Sequence, residues 1–154
     1  MRPRILIVDD HEVVRHGIRG IIAKLRPEWE ICGEATNGKD AVTAVKKLEP
    51  DAVVLDVSMP VMNGLEAAGH IVKLELPCRI LIFTMHESDR MGDDVFRAGA
   101  HGYVKKSEAS RDLIKALEAL LTGGTFGFHE QNVIEFKKKT EPASGTSFRI
   151  FVPA

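Results

Sequence analysis

Residues 52–64 read "AVVLDVSMPVMNG". From Ala52 to Leu55 every residue is apolar, with no polar partner in alternation, so the run describes a strand buried on both faces rather than one with a wet side. Strands of that kind belong to parallel sheets, whose connections are helices. The run then ends on a carboxylate, Asp56. A charge closing a buried strand is costly unless something uses it.

Similar runs recur on either side: "RILIV" at 4–8, "EICGEA" at 30–35, "RILIFT" at 79–84 and "GYV" at 102–104. All read as buried strands. Between them lie segments of helical spacing. Val14, Ile18, Ile21, Ile22 and Leu25 share one helix face, as do Ala41, Ala44, Val45 and Leu48. Further helices are predicted at roughly 65–74, 88–98 and 109–122, the last carrying Leu113, Leu117, Leu120 and Leu121 before a Gly123-Gly124 stop. Strand and helix thus alternate five times over, which predicts a doubly wound, mostly parallel sheet with right-handed crossovers. Ligands of such sheets bind beyond the carboxyl ends of the strands.

The chain has 154 residues, enough for one domain with a sizeable core and a tail. With 44% apolar residues, 28% charged residues and a formal net charge of -1, it has a globular composition and no global positive field toward nucleic acid or anionic lipid. No apolar run reaches membrane-spanning length and "MRPRILIVDD" lacks the pattern of a signal peptide, so a cytoplasmic location is expected. Cys32 and Cys78 adjoin apolar segments without metal-ligand spacing and are expected as free thiols.

What ends each strand matters most. The first ends in Asp9-Asp10, the third in Asp56, the fourth in Thr84, and Lys105-Lys106 follow the fifth. Taken singly, acidic pairs often start helices and lysines usually sit in water. Together they gather three carboxylates, a hydroxyl and an amine on one rim. Neighbouring carboxylates repel unless a cation joins them, and Mg²⁺, a hard ion that takes oxygen ligands and keeps several waters, suits such a set. Asp56 is then a candidate nucleophile that forms an acyl phosphate, with Lys106 and Thr84 stabilising the transferring group.

The stretches "ILIVDDHEVVRHGI", "VVLDVSMPVMNGLEA", "ILIFTMHE" and "AGAHGYVKKS" closely resemble the receiver domain of two-component response regulators, in particular the subfamily usually fused to a LuxR/NarL-type helix-turn-helix. The likeness runs from about residue 3 to 126. It implies a flavodoxin-like (CheY-like) sheet of order 2-1-3-4-5, a receiver at 1–126 and a short C-terminal extension at 127–154. It also implies that Asp56 is phosphorylated by a histidine kinase or phosphotransfer protein. Mg²⁺ would be held by Asp9, Asp10, Asp56 and the backbone carbonyl of Ser58. Thr84 matches the switch hydroxyl, Tyr103 the switch aromatic, and Lys106, rather than Lys105, the invariant amine. Gly64 is expected to serve either a positive φ or a close backbone approach, and Pro60 to stiffen the loop after Asp56.

Two positions depart from the pattern. Ser107 stands where many receivers have proline after a cis bond, and His86, two residues past Thr84, is either an ordinary loop histidine or a group that modulates dephosphorylation. After Gly124 only 30 residues remain, too few for a DNA-reading domain, so no direct DNA binding is expected and output is assigned to protein partners not named by the sequence. A truncated transcriptional regulator is one alternative reading. Another is an aspartate-nucleophile phosphohydrolase, which needs a second acid two residues after its nucleophile, where this chain has Ser58. Residues 146–152 alternate like a strand that would pair within the domain or with a second copy as a homodimer; the competing reading is a loose remnant.

Overall fold

A computed structural model describes residues 2–85 and 90–128; His86 and the predicted strand at 146–152 lie outside the described residues. The elements run β1 (Arg4–Val8), α1 (Glu12–Leu25), β2 (Glu30–Ala35), α2 (Gly38–Leu48), β3 (Ala52–Asp56), α3 (Gly64–Lys73), β4 (Arg79–Thr84), α4 (Met91–Arg97), β5 (Gly102–Lys105) and α5 (Ala109–Leu121), with a 3-10 turn at Lys106–Glu108 before α5. The five strands pair in parallel in the order β2-β1-β3-β4-β5. The alternation predicted from apolar spacing is therefore the alternation observed.

Strand side chains alternate between two helical layers. Leu6, Val8, Val53, Leu55, Ile80 and Ile82 face α2, α3 and α4, where Ala41, Val45, Ala68, Ile71 and Val95 are buried. Ile5, Ile7, Val54, Leu81 and Phe83 face α1 and α5, where Ile18, Ile22, Leu113 and Leu117 complete the second core. The central strand β3 is buried at every position, as its uninterrupted apolar run requires.

Two expectations change. The run at 30–35 is not buried on both faces: β2 is an edge strand, and of its six residues only Ala35 is buried. Glu30, Gly33 and Glu34 already break its apolar run, and an edge position tolerates them. Leu25, at the end of α1, is 44% exposed rather than in the core. Asn37 and Asn63 cap α2 and α3, each accepting a backbone N–H three residues on, which fixes where those helices begin. Both described cysteines are free thiols, Cys78 buried and Cys32 half-buried. Among the described residues no helix is long and apolar enough to cross a membrane.

Candidate functional site

The carboxyl ends of β1, β3 and β4 and the turn after β5 meet at one rim, because parallel register carries all four chains to the same edge. Asp56 pairs with Phe83 and Thr84 with Lys105, so β3, β4 and β5 end within a residue or two of one another. Asp9 and Thr84 are wholly buried, Asp56 is 4% exposed, and Asp10 is exposed. Asp9, Asp10, His11 and Asp56 each offer a ligand atom, all within 4.8 Å of one another.

Lys106, in the turn that follows β5, joins this group at the same rim. Its Nζ donates to Asp9 Oδ2 at 2.7 Å and lies 3.1 Å from Asp56 Oδ1. The ammonium also sits 5.9 Å from the centre of the Phe83 ring, a cation–π contact. Lys105 is part of β5 and does not enter the cluster, so the strand boundary decides between the two lysines. No cis peptide bond occurs among the described residues, so the Lys106–Ser107 link is trans and leads directly into the 3-10 turn.

One ammonium serving two buried carboxylates leaves the cluster short of positive charge. Burial, then the neighbouring Asp9 charge, push the Asp56 carboxyl above the usual carboxylate range, while Lys106 pulls the other way and Asp10 adds to the rise. Burial alone would lower the Lys106 ammonium; its bonds and attractions to Asp9 and Asp56 together outweigh that and raise it. Such a set of hard oxygen donors fits a divalent cation of the Mg²⁺ type. His11 is the member that strand-end reasoning missed. It precedes α1, its N–H donates to Asp9 Oδ1 at 2.8 Å, and its Nδ1 lies 3.0 Å from Asp10 Oδ1.

The loop after β3 is shaped by a close approach. Gly64 is not in the left-handed region; a Cβ there would overlap the carbonyl oxygen of Asp56 and stand 2.8 Å from its carbon, while the Gly64 N–H donates to Val57 O at 2.8 Å. Of the two uses expected for this glycine, backbone approach is the one observed. The left-handed residue of the loop is Val61 instead, with φ 71. Ser58 is exposed in the same loop. Tyr103 is half-buried on β5, away from the carboxylates, among residues of α4 and the segment after α5.

The family model for the response regulator receiver domain matches residues 5–118. The chain belongs to that family. Among curated relatives, this receiver is 36% identical over 121 residues to the nitrate/nitrite response regulator protein NarL of Escherichia coli, covering 77% of this chain and 55% of that protein. It is 38% identical over 120 residues to the transcriptional regulatory protein YdfI of Bacillus subtilis, covering 78% and 55%. The chain thus spans about half the length of the curated relatives it matches. Among solved structures, a LuxR-family two-component response regulator from an Aurantimonas species superposes with TM-score 0.78 at 37% identity, over 90% of this chain and 99% of that one. The signal receiver domain of the putative response regulator NarL of Mycobacterium tuberculosis gives 0.74 at 29% identity, over 79% and 98%. The receiver family and its sheet order are those expected from the quoted stretches.

Proposed function

We propose that the receiver accepts one phosphoryl group on Asp56. The observation that carries this reading is the meeting of Asp9, Asp10 and Asp56 at the strand rim with Lys106 bonded to two of them. In the proposed step an Asp56 carboxylate oxygen attacks the phosphorus of a phosphohistidine or a small acyl phosphate. A P–O bond forms as the bond to the donor breaks, and the donor departs with the electron pair. Asp9, Asp10, Asp56 and the Ser58 carbonyl would hold Mg²⁺, which when bound supplies positive charge to the phosphoryl oxygens. Lys106 provides a preorganised cation already paired with Asp9 and Asp56, and Thr84 would offer a hydroxyl donor. Tyr103 is proposed to follow Thr84 as the switch aromatic, altering the surface formed by α4, β5 and α5.

The role is that of a signalling switch in the cytoplasm, between a histidine kinase or phosphotransfer protein and a protein target, with residues 1–126 as the receiver and at most slow self-dephosphorylation. Ser58 in place of a second acid argues against turnover. Acetyl phosphate with Mg²⁺ is expected to add one phosphoryl group per chain by intact-mass spectrometry, and Asp56→Asn to remove the reaction. Undiminished labelling of the variant would refute the assignment, and steady release of phosphate would make the chain a hydrolase.

A further inference from the structure

β5 is the last strand of the sheet, so its outer edge ought to be open. Its backbone is instead met by the segment that follows α5. Phe126 forms a parallel bridge to Gly102, the Tyr103 N–H donates to Phe126 O at 3.0 Å, and the Phe126 N–H donates to His101 O at 3.3 Å. Residues two apart on a regular strand point to the same face, yet here Phe126 packs with the α1–α5 core and Phe128 with the α2–α4 core. Gly127, with φ 87, makes that reversal; a Cβ on it would stand 2.6 Å from Tyr103 O. Phe128 then lies edge-on to Phe96 of α4, ring centres 5.1 Å apart, and tilted against Tyr103 at 6.1 Å. Four of the six aromatic residues among the described residues, Phe96, Tyr103, Phe126 and Phe128, are gathered at this edge.

The strand beneath this strap leads straight to the acidic rim, since Lys106 directly follows β5 and bonds Asp9 and Asp56. We propose that residues 124–128 are an intramolecular latch on the α4–β5 face, docked while Lys106 rests on Asp9 and released when Asp56 is phosphorylated. This inference rests on the reading of Asp56 as phospho-acceptor. Phosphorylation replaces the single Asp56 carboxylate charge by roughly two on the phosphoryl oxygens, a net gain of about one negative charge set farther out from β3, which draws Lys106 off Asp9 and displaces the end of β5. The strap is fitted closely to the present position of β5. Its root is anchored by the Arg79 guanidinium donating to Gly124 O at 2.7 Å and the Gly124 N–H donating to Ala119 O at 2.7 Å. Beyond that root, its hold on the β5 edge consists of the two Phe126 backbone hydrogen bonds and the two Phe128 ring contacts. A displacement there shifts the population toward the undocked state. Release uncovers the β5 edge and the notch between Phe96 and Tyr103.

Linkage makes the idea testable in both directions, because whatever phosphorylation loosens must, when removed, favour the phosphorylated form. The full chain is examined with Mg²⁺ and beryllofluoride, a mimic of the acyl phosphate. Hydrogen exchange at the Tyr103 and Phe126 amides is expected to quicken at least tenfold. Phe128→Ala is expected to bind beryllofluoride at least threefold more tightly in an NMR titration; should it fail to fold, Phe128→Leu, which keeps bulk without the ring edge, carries the same expectation. A beryllofluoride complex with unchanged or greater protection at both amides overturns the latch and leaves the phospho-acceptor reading standing, as does a folded variant that binds no more tightly. A chain that takes neither beryllofluoride nor phosphate from acetyl phosphate overturns both.

Discussion

Replacing Gly64 by alanine tests how the acceptor aspartate is positioned. The added Cβ would overlap the carbonyl oxygen of Asp56, lie 2.8 Å from the carbonyl carbon and stand 3.0 Å from Val57 Cα. These are backbone atoms, so no side chain can swing away; either α3 or the end of β3 must move by an ångström or more. Overpacking that displaces backbone costs about 3 kcal/mol. For a domain of this size that corresponds to a fall in Tm of roughly 10 °C. Gly69→Ala in the same helix is the control, since a Cβ there meets nothing within 4 Å, and it should stabilise by about 0.5–1 kcal/mol through helix propensity. Because the atom struck in Gly64→Ala belongs to Asp56, its labelling by acetyl phosphate should also slow, by on the order of tenfold or more for an ångström of misplacement. Thermal melts and timed intact-mass spectra read both effects. A Gly64→Ala chain that melts within a degree or two of the parent and labels at the parent rate would refute the argument from close approach.

Three other outcomes are expected. Lys106→Met strands two buried carboxylates and should destabilise the chain by about 3 kcal/mol at pH 7, less as acid protonates them, as measured by urea unfolding. Mg²⁺ should raise the melting temperature by binding the folded chain, and Asp10→Ala should abolish that response while raising the metal-free value, since Asp10 adds to the charge opposing Asp56. His101 accepts the Ile80 N–H on Nδ1 at 2.9 Å, and burial, then Arg79, push it down from 6.5 to about 4. The folded state therefore binds fewer protons than the unfolded one between these values, so this contribution is present above pH 6.5 and is lost as pH falls toward 4. It amounts to at most about 3 kcal/mol, and His101→Gln, which keeps an acceptor without titrating, should flatten the stability profile across that window.

The strands and the residues that end them were legible in the sequence because both signals are local. An unbroken apolar run such as Ala52–Leu55 declares a strand buried on both faces, and the first charge after it marks the rim. Asp9, Asp56 and Thr84 could be placed at one edge from strand ends alone, because parallel strands of similar length finish together. What the local pattern could not carry was the pairing of distant groups. Only the folded sheet brings Lys106 to Asp9, 97 positions away, and keeps neighbouring Lys105 in β5. Only the packed loop shows that Gly64 serves Asp56 through lack of a Cβ rather than through a positive φ, and that His11 completes the acidic group. The strap was likewise invisible: "TFGF" carries no periodic signal, and its place was decided when α5 ended beside the open edge of β5. Hydrophobic period and strand-end charge are properties of a few consecutive residues, whereas a shared ammonium, a missing Cβ and a covered edge exist only between segments that the crossovers have brought together.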